Sequence, residues 1–152
     1  MRLWAFAGRI TYWLAWPFLW AYLRLDGERT RVAVVCGDQL LLTKGWLGSG
    51  RWALPGGGLH RGEEAIAGAL RELREETGLT LQPSQLQFHS EGNLNRNGPG
   101  FRYQLFIAEL KTPAKVRPQR GEILITEWVG HATLHANNAE SAVLLAVHAW
   151  WG

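Results

Sequence analysis

One stretch of this 152-residue chain can hardly be anything but a helix, and it constrains everything beside it. From Glu63 to Thr77 the apolar residues Ile66, Leu70 and Leu73 recur at i, i+4 and i+7, the stripe of a helix with one side on a core. Gly78 follows as the left-handed residue that stops it, with Leu79 placed to pack back. Five of the 13 acidic residues lie between Glu63 and Glu76. Glu72, Glu75 and Glu76 are related by i+3 and i+4, so the three share one helical face. Like charges at that spacing each cost an isolated helix roughly 0.2–0.5 kcal/mol. Arg71, four residues before Glu75, offsets part of this, and Arg74 adds a second cation nearby. Three carboxylates opposite an apolar stripe suit a hard divalent cation, which takes oxygen ligands and keeps waters and phosphate oxygens in its shell. A merely solvated acidic face is the alternative reading.

What precedes the helix favours the first reading. Pro55-Gly56-Gly57-Gly58 exposes backbone N–H groups that phosphate oxygens can approach without side-chain obstruction. Upstream, Arg31–Cys36 and Gln39–Lys44 read as strands of a hairpin turning at Gly37-Asp38. Gly45–Arg51 is a glycine-rich loop, and Trp52-Ala53-Leu54 is a short strand ended by Pro55. Arg102–Leu110 and Ile123–Val129 are two further strands, Asn93–Gly100 is a loop, and Ala139–Trp150 closes the chain as a helix. Strands mixed with two or three helices make an α+β or a layered α/β domain.

Residues 1–26 are foreign to that pattern. Ile10–Leu23 is uncharged and holds Tyr12, Trp13, Trp16, Phe18, Trp20 and Tyr22, apolar on every side of a helical projection. Such a helix packs on its own domain or a second copy, lies in the headgroup region of a bilayer, or spans it; its aromatics and flanking arginines suit the second use and its length strains the third. The segment therefore offers a membrane-surface or homodimer contact through residues 1–25 on an otherwise cytoplasmic protein. The net charge of +3 also sits there: Arg2, Arg9, Arg24, Arg29 and Arg31 stand against Asp26 and Glu28, and the rest of the chain carries 11 basic and 11 acidic residues. The basic pI thus argues for no nucleic-acid partner. With Cys36 alone, an internal disulfide is excluded, and no Cys/His spacing resembles a zinc site.

Read together, Gly57, five residues, Glu63, seven residues, then Arg71-Glu72-Leu73-Arg74-Glu75-Glu76-Thr77-Gly78-Leu79 resemble the Nudix box at every fixed position. Trp52-Ala53-Leu54-Pro55-Gly56 is similar to that family's lead-in. The resemblance covers residues 31–152 and leaves 1–26 outside. It implies a mixed β-sheet sandwiched between helices, with an extra N-terminal apolar helix here, and a Mg²⁺- or Mn²⁺-dependent hydrolase of a nucleoside diphosphate linked to another group. By position it implies Glu72, Glu75, Glu76 and Gly57 at the metal, Glu72, Glu75 and Arg71 in catalysis, and a structural Glu63.

An additional acid from outside the box is expected at Glu122, with Glu127 and Glu91 as alternatives. Gly56, Gly57, Gly58, Arg51 and Trp52 are the expected substrate contacts. Lys44, Arg96 and Arg102 are further phosphate candidates, and Phe101, Tyr103 and Trp128 further base-stacking candidates. A nucleoside triphosphate or another small nucleotide is the default substrate. The other uses left open are a nucleotide-binding regulator without turnover and a membrane-associated hydrolase of lipid-linked or isoprenoid diphosphates.

Overall fold

The computed structural model describes residues 28–45, 49–94, 101–117 and 123–152. The Trp-rich segment 1–26 and Glu122 lie outside them. At the centre runs β1 (Glu28–Cys36), in which Thr30 and every residue from Val32 to Cys36 are buried. Burial on both faces explains its near-continuous apolar run. It turns at Gly37-Asp38 into β2 (Gln39–Gly45), antiparallel with Val35 opposite Leu40. β3 (Gln87–Leu94), β4 (Phe101–Glu109) and β5 (Ile123–Gly130) complete a mixed sheet of order β3-β4-β1-β2-β5, with β4 parallel to β1.

Alternation along the central strands sends side chains to two separate cores. On one face Val32, Val34, Leu41, Phe106 and Ala108 meet Ala69 and Leu73 of α1 (Ala65–Thr77). On the other, Ala33, Val35, Leu40, Leu42, Leu54 and Leu105 meet Ala142, Val143 and Ala146 of α2 (Ser141–Trp151). The result is the expected helix–sheet–helix sandwich. Leu73, fully enclosed, contributes about 1.5–3 kcal/mol by burial alone.

Three local departures have physical causes. α1 begins at Ala65 rather than Glu63, because Glu63 accepts the His60 N–H at 2.8 Å and Glu64 stays extended. α2 begins at Ser141 rather than Ala139, because Ala139 bridges to Trp52 and the Glu140 N–H donates to the Trp52 carbonyl at 2.8 Å. β3 is a strand that periodicity does not announce; it forms by pairing with β4 from Gln87 opposite Ile107 to Leu94 opposite Phe101. At the far end of α1, Gly78 is left-handed at φ 73°, and its N–H caps the Arg74 carbonyl at 2.9 Å.

The segment after the short loop strand sets up the site. Thr43 exchanges both backbone hydrogen bonds with Ala53, while Thr30 donates to the Gly57 carbonyl and Val32 to the Pro55 carbonyl, each at 2.9 Å. Residues 53–58 therefore wedge between β1 and β2 where the hairpin splays apart.

Candidate active site

The wedge delivers the three glycines to the carboxylate face of α1. The Gly56 N–H donates to Glu76 Oε2 at 2.9 Å. At Gly57 the closeness is steric: a Cβ there would stand 2.5 Å from Glu72 Oε1, so only glycine lets that carboxylate lie over the loop backbone. The Gly58 carbonyl accepts from Arg71 Nη2 at 3.0 Å.

Arg71 is the hub. Its Nε and Nη2 fork onto the two Glu63 oxygens at 2.8 and 2.9 Å, and Nη1 reaches Glu72 Oε1 at 2.8 Å and Glu75 Oε2 at 3.4 Å. Bidentate, charge-assisted bonds of this kind are the strong ones. The side chains of Arg71, Glu63 and Glu72 are only 17, 15 and 17% exposed, against 42% for Glu75. Glu75 thus has the longest bond to Arg71 and the freest access to water. Hydrogen bonding by Glu63 lifts the Arg71 guanidinium above its ordinary value, and burial opposes this. Arg71 in turn holds the Glu63 carboxyl down to about 2 from an ordinary 4.5, with burial opposing and the His60 N–H assisting.

That depression fixes the sign of an acid effect. A carboxyl whose folded value lies below its unfolded one contributes stability that is fully present above the unfolded value. The contribution should fade as pH falls from about 4.5 toward about 2. Denaturant melts across that range should show the decline, and Glu63→Gln should flatten it; an unchanged slope in the variant would place the acid sensitivity elsewhere.

Glu72, Glu75, Glu76, Arg71 and the three glycines are thus brought together. Arg51 and Trp52 have other surroundings. Trp52 packs into the core beneath α2 with Lys44 Nζ 4.2 Å above its ring, and Arg51 is exposed. Trp128 packs toward α1 and donates Nε1–H to the Ala114 carbonyl at 3.0 Å, and Glu91 pairs with Arg102 at 2.9 Å. Among the described residues no three Asp, Glu, His or Cys side chains converge as a ready-made cation cage. The donor chemistry nonetheless fits a hard cation, being carboxylate and carbonyl oxygen throughout.

One feature of the site escaped the motif. Arg29 and Arg31 alternate onto one face of β1, where the strand adjoins Gly56–Gly58. Arg31 Nη1 donates to the Gly56 and Thr30 carbonyls. Burial, and then the charge of Arg31, hold the Arg29 guanidinium below its ordinary value, while Glu72 acts the other way. The available signal was a pair of arginines at strand spacing in an otherwise apolar strand.

A carboxylate helix locked by an arginine onto a glycine loop defines a class, and comparison with known proteins defines it further. The family described as the NUDIX domain matches residues 27–147, so the chain belongs to the Nudix family. It is 31% identical over 90 residues to a diphosphoinositol polyphosphate phosphohydrolase 3-beta of Bos taurus, a match covering 56% of this chain and 55% of that one. The chain thus spans about half the length of that relative. It is 29% identical over 122 residues to the phosphatase NudJ of Escherichia coli, covering 76% of this chain and 79% of NudJ. In fold it is similar to a MutT NUDIX hydrolase from Burkholderia pseudomallei, with a TM-score of 0.71 at 20% identity, over 81% of this chain and 96% of that one.

Proposed function

We propose that this chain hydrolyses the diphosphate linkage of a small nucleotide, a nucleoside triphosphate or a related nucleoside diphosphate derivative, with a divalent cation, Mg²⁺ or Mn²⁺, on the carboxylate face of α1. The observation that carries this reading is the junction of loop and helix, with Gly56 bonded to Glu76 and Arg71 bonded to both Gly58 and Glu72. Nudix relatives named for phosphohydrolase and phosphatase activities support it.

Glu72, Glu75, Glu76 and the Gly57 carbonyl would hold the cation, and Glu122 is the added acid. When bound, such a cation neutralises charge on the phosphate oxygens and acidifies a water. Arg71 keeps Glu72 and Glu75 aimed along the face, and Glu75, with its long bond to Arg71 and its exposure, is the group to position the attacking water and take its proton. The N–H groups of the glycine loop offer donors to the substrate diphosphate. Residues 31–152 form the catalytic domain in this reading, and residues 1–26 a separate segment that contacts a membrane surface or a second copy. Among the described residues no helix is long and apolar enough to cross a membrane.

The test is release of phosphate or pyrophosphate from nucleoside triphosphates, oxidised nucleotides, ADP-ribose, dinucleotides and isoprenoid diphosphates, with and without Mg²⁺. Metal-dependent turnover of a nucleotide is the expected result. Cleavage confined to isoprenoid diphosphates would move the substrate to lipid chemistry. Silence with nucleotide binding retained would make the chain a binding protein.

A further inference from the structure

Charge divides the two helices of the sandwich. α1 carries Arg71, Glu72, Arg74, Glu75 and Glu76 among its 13 residues, as a helix with one face on a core and another in water does. α2 has no Asp, Glu, Lys or Arg in its 11. Ala142, Val143 and Ala146 bury one side of it, while Ser141, Leu145, His148 and Ala149 share an exposed side at helical spacing. Leu145 is 51% exposed, and Trp150 39%. A helix without charge on any side belongs in an interior, so α2 calls for a cover on its outward side.

The sequence holds a matching piece in Ile10–Leu23, 14 residues without a charge. Its place in the chain brings it to α2. α2 starts beside Trp52, whose carbonyl accepts the Glu140 N–H at 2.8 Å and whose neighbour Ala53 pairs with Thr43, toward the end of the sheet where β1 begins. It finishes with the Trp151 ring stacked on His131, centroids 4.4 Å apart, and the His131 N–H donates to the Asp38 carbonyl in the hairpin turn. α2 therefore runs along the sheet in the direction of β1. The chain entering β1 at Glu28 arrives at the end where α2 starts. At 1.5 Å per residue, a helical Ile10–Leu23 measures about 21 Å and α2 about 16 Å. Residues 24–27, extended, let Leu23 and Glu28 stand up to about 17 Å apart, against the roughly 8–10 Å between packed helices. On so short a tether the segment meets its own α2 at an effective concentration in the millimolar range, ahead of any second copy. α1, with its five charged residues, offers no comparable face.

We propose that residues 10–23 pack as a helix along the outward side of α2 of the same chain, antiparallel to it. The segment is apolar on every side, so one side on α2 leaves another for a membrane surface or a second copy. The docking is independent of the hydrolase reading.

The test uses the full chain in detergent-free buffer. Hydrogen exchange read by mass spectrometry should find the backbone amides of residues 10–23 protected. Leu145→Lys should speed their exchange about tenfold or more, because the ammonium would have to enter an apolar contact. Protection of Val32 and Val34, innermost in the sheet, should not change. With nothing over Leu145 the lysine would be tolerated and the exchange of residues 10–23 would stay as it was, which overturns the proposal. Unprotected amides in the parent would overturn it equally.

Cross-linking decides whose segment is bound. A benzophenone carried on Leu145→Cys should attach, on illumination, to residues 10–23 of its own chain, giving a monomer-sized product whose yield does not depend on protein concentration. Cys36 is buried and stays out of the labelling. Attachment only across a dimer would give the face to a second copy. Attachment to lipid alone, with phosphatidylcholine–phosphatidylglycerol vesicles present, would give it to a bilayer; either result overturns the proposal. Should Leu145→Lys fail to fold, the cross-link carries the test.

Discussion

The Glu76→Gln protein is expected to lose on the order of 10³-fold of its Mg²⁺-dependent hydrolysis, since the cation's Lewis-acid role supplies several kcal/mol and each 1.36 kcal/mol is a factor of ten. The substitution is chosen for what it keeps. Glutamine retains an oxygen that can accept the Gly56 N–H, the bond now made by Glu76 Oε2 at 2.9 Å, so the glycine loop has no reason to leave the helix. What disappears is one negative charge from a face of three. Steady-state rates with and without Mg²⁺ measure the loss, and the circular dichroism spectrum checks that the sandwich persists. A second readout comes from melting the protein with added Mn²⁺: a cation that binds only the folded state raises the melting temperature, and the variant should show little of that rise. Turnover retained in a folded variant would remove Glu76 from the cation site.

Arg71→Met should have the largest effect on stability. Methionine replaces much of the arginine stem but none of its donors, leaving the mostly buried Glu63 and Glu72 carboxylates without their cation. Breaking a buried pair by removing one partner typically costs 3–5 kcal/mol. Slight exposure places this case at the lower end, about 3 kcal/mol, or roughly 10 °C in Tm for a chain of this size. The acid sensitivity ascribed to Glu63 should vanish together with the arginine that causes it. A variant melting within about 2 °C of the parent, with the acid slope intact, would show that the carboxylates find other partners. Activity should fall as well, because Glu72 and Glu75 lose the group that aims them.

Legibility in the sequence followed the range of the interactions. α1 and its left-handed stop were readable because their causes are local: an i, i+4, i+7 stripe and a glycine after Thr77. The β1–β2 hairpin was readable for the same reason. β3 was not, since Gln87-Phe88-His89-Ser90-Glu91-Gly92-Asn93-Leu94 has little β-branched character and becomes a strand only through its partner β4. The salt-bridge hub was half legible. Spacing gives the i+4 approach of Arg71 to Glu75, but the fork onto Glu63 and the bond to Gly58 depend on a loop folding back across the helix. The arginines of β1 look like part of a basic N-terminal stretch until the wedge of residues 53–58 is seen to run beside them.

That wedge has a consequence for how the molecule opens. Functional loops usually belong to the least protected part of a protein, fraying without disturbing the interior. Here the glycine segment is stitched to the central strand through Thr30 and Val32 and to β2 through Thr43, all three of them buried. It cannot detach without exposing the innermost amides of the sheet. The glycine loop and the hydrophobic interior therefore form one cooperative unit, and the free energy that protects a core amide such as Val32 also guards the geometry of Gly56 and Gly57. Mutations deep in the core, far from any substrate, will consequently lower activity in step with the protection of the core amides, the two falling together as the interior opens.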